Sequence, residues 1–409
     1  MGATISRRRS PQLLPPPPPP PPSESLASLP ENVLAEIFIK LPPHPASLRS
    51  VSLGSHQFRD VVTNRPFLRQ FHAHHGDVPP LVGLFLNEKI PHFLPTTCCG
   101  VARSKSDSAV AGSGPLEPCD AGWYILSTRH GRVLLQSPDR RRLLVLDPMV
   151  GRRRYMDAPL RYRPKYRSTA AVVCDPGTAG HGYCRSTAFR IVFVYFSNIF
   201  QTLVCIYSSE TGRWVKVDLF QDMAPRAPID VMRPCVQVGD VIYWQCVFPV
   251  ILAFNVNTHQ LSQVPVPVDL RGDDYVARSN SNVVAPKDSS LGFVYVSWQN
   301  LQLWVSNFFN GVHVKWMPVR TVRLDNLLPL PRTRKPLVRI IGVDADENVV
   351  YLWTKVGVFG LQLDSMQSNK LLDNCGSMHT VYPYKSFFIT AGGEVTAISL
   401  FILSVHVIM

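Results

Sequence analysis

The feature that most constrains the fold of this chain is a strand-rich unit that recurs along its C-terminal three quarters. Each unit has two or three apolar strands joined by hairpins, and its last strand ends in a polar turn. Corresponding positions lie roughly 45 to 60 residues apart, a period that suits a blade of a β-propeller better than the strands of a sandwich. The five clear units have strands that begin at Trp123, Phe189, Val236, Leu291 and Arg339.

A ring of such units solves a burial problem that a single unit cannot. One blade covers one face at a time, whereas stacking around an axis covers both faces and leaves short edges. The five units and the strand material at 81–100 predict five or six blades. The turns then collect on two rims, where loops on a closed scaffold are available for recognition. We expect most of the tryptophans to fill the wedges between blades: Trp123, Trp214, Trp244, Trp298, Trp304, Trp316 and Trp353.

Between Ser28 and Phe71 the apolar residues recur at helical spacing instead. Prolines at 42, 43 and 45 and again at 66 divide this stretch into three predicted helices. Their apolar positions are Val33, Leu34, Ile37, Phe38 and Leu41, then Leu48, Val51, Ser55 and Phe58, then Phe67, Leu68 and Phe71. Three short helices enclose only a thin core. An apolar stripe as broad as this one therefore indicates a surface that another chain covers.

These residues resemble the F-box family, whose pattern is LPxxhhxEIFxxLP…W-R…P-x-F. The resemblance rests on Leu29-Pro30, Leu34, Glu36-Ile37-Phe38, Leu41-Pro42, Leu48, Phe58-Arg59, Pro66-Phe67 and His72. Two positions depart from the pattern, because Phe58 stands where the family usually has Trp and Ser55 where it often has Cys. Both substitutions keep the general polarity of the site.

The strand-rich part is similar to the β-propeller-like associated domain of plant F-box proteins. The stretches that carry this resemblance are YSSETGRW, GDVIYW, LGFVYVSWQNLQLW and, at 381–388, VPYKSFF with a Tyr inserted after its Val. The two resemblances imply an α+β multidomain protein, in which a small trihelical F-box precedes a mostly antiparallel, all-β, β-propeller-like domain.

The F-box resemblance also implies a function. F-box proteins bind the Skp-family adaptor of cullin-based ubiquitin ligases and recruit a substrate with the domain that follows. The chain is accordingly expected to be a non-catalytic substrate-recognition subunit of an SCF-type complex, with an unknown protein as substrate. The residues expected to form the adaptor-binding face and its supporting core are Leu29, Pro30, Val33, Leu34, Ile37, Phe38, Leu41, Leu48, Val51 and Phe58.

The segment boundaries follow from composition. We predict a disordered basic and polyproline tail at 1–25, an F-box-like domain at 26–75, the propeller-like domain at 80–395 and an apolar tail at 396–409. The apolar run at the end is short for a bilayer span and is predicted to be a closing strand, with a tail anchor or a divergent terminus without a defined role as the alternatives. Met1-Gly2 with Ser6 fits the N-myristoylation pattern, with Arg7 to Arg9 as an electrostatic second signal, so Gly2 is a lipidation candidate. We expect membrane attachment only if Gly2 is acylated.

Charge and cysteine usage place further limits on function. From Arg129 to Arg167 the sequence has 12 Arg or Lys residues against 3 Asp residues, within a chain of net charge +13. Such a patch suits nucleic acid or an acidic protein. Arg140 to Arg142 and Arg152 to Arg154 are expected in turns between strands, however, so solvated turns are the preferred interpretation. The nine cysteines form no C-x-x-C pair and no secretory leader is evident, which indicates the cytoplasm or nucleus.

Signs of catalysis are few. The sequence has no G-x-S-x-G elbow, P-loop or H-E-x-x-H motif, and we predict no catalytic residue, cofactor or metal. The cluster of His72, His74 and His75 is interpreted as a solvated linker, and Asp344, Asp346 and Glu347 as a hairpin turn. Two alternatives remain: an enzyme with a propeller fold, and a membrane-tethered or nucleic-acid-binding scaffold.

Overall fold

A computed structural model describes residues 26–76, 79–87, 92–95, 122–149, 151–160, 162–174, 188–197, 201–218, 228–247, 249–267, 280–286, 290–309, 312–331, 337–373 and 380–387. The predicted N-terminal tail with Gly2 and the predicted C-terminal tail at 396–409 lie outside the described residues. The proposed boundaries between segments therefore stay predictions.

The described chain begins with helices. They are α1 (Glu31–Phe38), α2 (Pro45–Gly54), α3 (His56–Thr63) and α4 (Arg65–His75). The second predicted helix is divided at Ser55, which has an extended backbone and whose side-chain oxygen accepts a hydrogen bond from the Phe58 N–H at 3.1 Å. Ser55 is thus the N-cap of α3 and not a residue within one longer helix.

The helices have a hydrophobic core of their own. Leu34, Leu48, Val62 and Phe71 are fully buried within it. Gln57 Nε2 donates a hydrogen bond to the Leu29 carbonyl at 3.0 Å, which ties α3 to the chain before α1. The helical part is therefore a small unit with its own packing.

The strands form six antiparallel sheets, each counted here as one blade. Blade 1 contains β1 (Leu81–Leu86), β2 (His92–Pro95) and β23 (Val381–Lys385); blade 2 contains β3 (Tyr124–Arg129), β4 (Arg132–Gln136), β5 (Arg142–Asp147) and β6 (Arg152–Asp157). Blade 3 contains β7 (Arg167–Cys174), β8 (Phe189–Phe196), β9 (Thr202–Ser208) and β10 (Arg213–Lys216); blade 4 contains β11 (Val236–Val238), β12 (Val241–Gln245), β13 (Val250–Asn255) and β14 (Leu261–Pro265). Blade 5 contains β15 (Ser281–Val284), β16 (Gly292–Ser297), β17 (Asn300–Phe309) and β18 (Val312–Arg323); blade 6 contains β19 (Val338–Asp344), β20 (Val349–Thr354), β21 (Gly357–Gln362) and β22 (Ser368–Leu372).

The ring is closed by strands from the two ends of the described chain. The last strand, β23, pairs with the first, β1, in a register that runs from Leu81 opposite Lys385 to Leu86 opposite Val381. Strand β23 lies between β3 and β19, so it is the inner strand of blade 1. The inner strands of the other blades are β3, β7, β11, β15 and β19, and β11 therefore lies across the channel from β23.

The main hydrophobic clusters lie between neighbouring blades. One joins blade 1 to blade 2 through Phe85 and Leu135, and another joins blade 2 to blade 3 through Leu143 and Phe193. Further clusters join the remaining neighbours. The molecule is a six-bladed β-propeller preceded by helices, which confirms the predicted fold class.

The two rims of the propeller differ. The helix-side rim carries the turns at 130–131, 239–240 and 345–348 together with the end of β23. The far rim carries the turns at 137–141 and 298–299 and the connections between blades, such as 158–160 with 162–166. The helices lie at the helix-side rim, because the His72 ring stacks on Phe387, just after β23, with 4.3 Å between ring centres.

Hairpin geometry explains one of the turns at the helix-side rim. His130 and Gly131 connect β3 to β4, and both have positive φ angles, of 48° and 72°. Two consecutive residues in this region give the tight turn whose twist matches the two flanking strands.

Among the described helices, none is long and apolar enough to cross a membrane.

Candidate functional site

The first candidate surface is the outward edge of α1. Leu34 and Phe38 point into the helical core, whereas Pro30 and Ile37 are exposed and Val33 is half-buried. Ile37 keeps 39% of its surface accessible. The broad apolar stripe read from the sequence therefore has two edges: one packs within the helices, and the other is presented to solvent.

The remaining predicted adaptor-binding residues pack beneath this edge and add little to its exposed surface. Leu48 is fully buried, and Leu29, Leu41, Val51 and Phe58 are half-buried against the helical core. The Phe58 ring meets the Phe38 ring edge-to-face with 5.3 Å between centres. Phenylalanine at this position thus acts as packing for α1.

The histidine cluster is not the solvated linker expected from the sequence. His72, His74 and His75 form the last turn of α4. His72 is buried beside Phe387, and burial, with a smaller effect of His75, lowers the pKa of His72 to about 4. His75 Nε2 lies 2.9 Å from the Ile39 carbonyl oxygen. These side chains join α4 to α1 and to the propeller, a role that local composition did not reveal.

The second candidate site is a cavity in the central channel, lined in part by the turns at 130–131 and 345–346 of the helix-side rim. Its volume is about 60 Å³, which is room for a few water molecules. Residues of several inner strands line it, among them Thr128, Cys235, Tyr382 and Lys385.

A group of charged side chains surrounds the cavity. Lys385 Nζ lies 2.8 Å from Asp344 Oδ2, at ion-pair distance although outside the angles of a hydrogen bond, and it lies 3.6 Å from Glu347 Oε1. Arg129 from β3 approaches Asp346 at 3.6 Å. The group therefore connects β3, β23 and the turn after β19, which are neighbours around the axis.

Burial determines the ionisation of this group. Burial raises the pKa of Asp344 to about 6; Lys385 opposes the rise, and Asp346 and Glu347 add to it. Burial also raises the pKa of the Cys235 thiol to about 11. The acidic turn lies where the sequence predicts it, whereas Lys385, which reaches that turn only through the closure of the ring, was not predicted.

All three carboxylates of the group come from one blade. An enzyme whose catalytic carboxylates face a propeller axis would need such groups from several blades, and the inner strands described here do not supply them in that arrangement. The cavity is consequently a polar pocket with ion pairs along one side.

The channel is bridged near the far rim. Residues 230–233 form a bulge before β11, between Pro234 and the bridge that pairs Ile229 with Cys246. Thr380 Oγ1, just before β23 on the opposite side of the ring, donates a hydrogen bond to the Met232 carbonyl at 2.9 Å. The bulge therefore reaches across the axis.

The basic segment from Arg129 to Arg167 does not lie only in turns, as had been expected. Arg152, Arg153 and Arg154 lie within β6. Arg154 packs over the Phe189 and Tyr207 rings of blade 3, each with its guanidinium carbon 5.7 Å from the ring centre. Part of this charge therefore supports packing between blades through cation–π contacts.

The tryptophans are mostly core residues, with one clear exception. Trp123, Trp244, Trp316 and Trp353 are buried, and Trp214 and Trp304 are half-buried. Trp298, in the turn between β16 and β17, keeps 48% of its surface accessible.

Comparison with protein families gives one match. The model described as "F-box protein AT5G49610-like, beta-propeller" matches residues 124–388. The match begins at β3 and contains β23, but not β1 or the helices. Among curated proteins, none matches the chain.

Solved structures give weak likenesses. The β-propeller domain of Cps50 (Swd1) from Myceliophteria thermophila is 8% identical, with 63% of this chain and 75% of that chain covered at a TM-score of 0.36. AofleA from Arthrobotrys oligospora is 13% identical, with 66% and 77% covered at a TM-score of 0.36. The WD40 domain of SCAP from fission yeast is 10% identical, with 61% and 52% covered at a TM-score of 0.35.

Proposed function

The chain belongs to the F-box protein AT5G49610-like β-propeller family, and from this we propose that it is the substrate-recognition subunit of an SCF-type ubiquitin ligase. The helices at 26–75 dock a Skp-family adaptor and, through it, a cullin. The propeller holds a protein substrate. The chain itself is non-catalytic and acts in the cytoplasm or nucleus.

The proposed mechanism is proximity. Other subunits transfer ubiquitin, and this chain raises the effective concentration of the substrate near them. Such a role needs two binding surfaces on one molecule. The helical unit and the closed ring meet this requirement, because each has its own core and the two touch at the helix-side rim.

The observation that supports the proposal most directly is the outward edge of α1. Pro30, Val33 and Ile37 follow one another at helical spacing and face away from the helical core. An exposed apolar edge beside a core of its own is typical of a helix that packs against a partner.

The test is adaptor binding by a surface variant. We expect Ile37→Glu to abolish co-purification of the full chain with a co-expressed Skp-family adaptor, because it places a charge within an apolar interface. Gln70→Glu adds the same charge to an exposed position of α4 and serves as the control. The buried pair Leu34 and Phe38 is unsuitable, since its loss would unfold the helices.

Two results would contradict the proposal. One is that the wild-type chain fails to retain the adaptor, and the other is that Ile37→Glu retains it as well as Gln70→Glu does. Circular dichroism of both variants, compared with wild type, shows that the helices are intact when binding is scored.

The Gly2 pattern supplies a smaller, separate proposal. If Gly2 is acylated, the complex is held at a membrane with help from Arg7 to Arg9. Loss of membrane association in Gly2→Ala is the expected result, whereas unchanged fractionation of this variant would remove the membrane tether from the proposal.

A further inference from the structure

The far rim displays apolar side chains that the helix-side rim lacks. Six large apolar residues of the far rim are exposed: Tyr124, Leu160, Met232, Val247, Trp298 and Leu337. The other exposed large apolar residues of the described chain lie on the segment before α1, on the helices or on the outermost strands, and none lies in a described turn of the helix-side rim. The apolar surface is thus concentrated on one end of the propeller.

Trp298 is held in a conformation that displays its ring. Its φ angle is 55°, in the left-handed region that bulky residues rarely adopt. A turn at this position does not need tryptophan, since asparagine or glycine adopts the same backbone at lower cost. The half-exposed indole therefore stands at a position where a smaller residue would form the same turn.

Met232 is fixed over the end of the channel. Its carbonyl accepts the hydrogen bond from Thr380 across the ring, and the Arg233 Nε beside it donates to Asp230 Oδ2 at 2.8 Å. Its side chain nevertheless keeps 69% of its surface accessible. A flexible thioether on a fixed backbone is well suited to contact an apolar partner.

The charge of the far rim indicates the sign of the charge expected on a docked partner. Arg163, Lys165 and Arg167 follow Leu160 and are exposed, and none of them is within ion-pair distance of a carboxylate of the described residues. Of the described carboxylates on the same rim, Asp230 and Asp325 are each paired with an arginine, at 2.8 and 2.6 Å, whereas Asp139, beside Arg140 to Arg142, and Asp157 are exposed outside such pairs. The described part of this rim therefore has unpaired positive charge beside its apolar residues.

We propose that the far rim is the surface on which the substrate docks, and that the docked segment combines apolar side chains with flanking carboxylates. This inference rests on the proposed role as a substrate receptor and names the chemistry of its substrate. Apolar anchors supply the binding energy, and the basic residues supply steering and select against basic segments. Because the helices lie at the opposite rim, an adaptor bound to α1 leaves this surface open.

The experiment selects ligands for the full-length chain alone, so it does not depend on the adaptor. The probe is a display library of random peptides of about sixteen residues, a length that covers common peptide-recognition modes. We expect the selected peptides to be rich in Leu, Phe or Trp together with Asp and Glu. Enrichment of Lys and Arg instead, or failure to enrich any peptide, would overturn the proposal.

Variants then locate the binding surface. Trp298→Asn removes the ring and keeps a residue that tolerates positive φ, and Arg163→Glu with Lys165→Glu reverses the charge. Each is expected to weaken binding of a selected peptide by about tenfold or more. Val215→Thr changes an exposed apolar residue on the outermost strand β10 and should leave binding unchanged. Equal affinities for wild type and Trp298→Asn would place the site elsewhere and overturn the proposal.

The adaptor assay on the same preparations separates the two proposals. Peptide binding that depends on Trp298, in a chain that fails to retain the adaptor, contradicts the ubiquitin-ligase role and supports the far rim as a docking surface. Adaptor binding that depends on Ile37, in a chain whose selected peptides ignore Trp298, contradicts the far rim alone.

Discussion

At the scale of single residues, the pair of Lys385 and Asp344 is the most consequential interaction in the ring. Both side chains are almost fully buried, at 7% and 3% exposure. A buried ion pair adds little stability compared with apolar residues of similar size, but removal of one partner leaves a charge that the interior cannot solvate. The two residues also belong to different blades, so the pair ties β23 to β19.

We predict that Lys385→Met lowers the free energy of unfolding by about 3–5 kcal/mol at pH 7, because it leaves Asp344 buried without its cation. Urea denaturation of purified protein measures the loss. The double variant Lys385→Met with Asp344→Leu should recover most of it. A single variant as stable as wild type would show that the pair is not buried as described.

The pKa of Asp344 gives a pH dependence of known sign. It is raised in the folded chain from 3.8 to about 6, so folding binds a proton that the unfolded chain releases. The stability that this proton supplies is complete below pH 4 and is lost as the pH rises through 6, by about 3 kcal/mol in total. Relative to Asp344→Asn, wild type should therefore lose stability between pH 4 and 7. A difference between the two that does not change with pH would contradict this.

At the scale of elements, the contact between β19 and β23 depends on a glycine. A Cβ at Gly342 would meet the Val381 carbonyl oxygen and would lie 2.7 Å from Val381 Cγ2. The register of β19 shifts between Ile340 and Gly342, next to this contact. The absence of a side chain at 342 lets the closing strand approach.

Gly342→Ala should consequently destabilise the propeller by about 1–3 kcal/mol, the usual cost of overpacking. Gly360→Ala is the matched control, because its Cβ would meet the movable Leu371 Cδ1 at 3.3 Å. Thermal unfolding of both variants measures the difference. Equal losses in the two variants would mean that the approach of β23 is not limiting.

The elements differ in how far sequence could predict them. Helical spacing found α1 and α4, and runs such as FRIVFVYF found β8, because these patterns are local. The start of α3 at Ser55 was missed, although a serine that caps the next helix is a recognisable signal. Apolar periodicity indicated how wide the α1 stripe is, but not which of its edges would be buried.

The pairing of β1 with β23, the Lys385 ion pairs and the cation–π contacts of Arg154 could not be predicted from local pattern. Each joins residues from distant parts of the sequence or from different blades, and hydrophobic periodicity carries no information about which strand lies beside which. The exposure of Trp298 was missed for a similar reason, since tryptophans in blades usually fill wedges.

At the scale of the whole molecule, the region that matches the family and the closed ring begin at different residues. The match begins at residue 124, whereas the ring also needs β1, which lies at Leu81–Leu86. A fragment of residues 122–388 would leave β23 without its hydrogen-bonded neighbour in blade 1.

We therefore predict that a fragment starting at residue 79 is soluble and unfolds cooperatively, and that one starting at residue 122 aggregates or unfolds over a broad range. Size-exclusion chromatography and calorimetry compare the two. If the shorter fragment behaves as well as the longer one, β1 is dispensable and the ring is held by blades 2 to 6.

Because the last strand closes the ring, blade 1 cannot be completed until late in the synthesis of the chain. Strand β1 is an apolar run, LVGLFL, and its partner is made about 300 residues later. At the usual 5–20 residues per second, the ribosome needs roughly 15 to 60 s to deliver that partner. Throughout this interval the nascent chain carries an open sheet edge of the kind that recruits other strands, so we expect aggregation during synthesis to begin at β1 and to increase when translation is slowed.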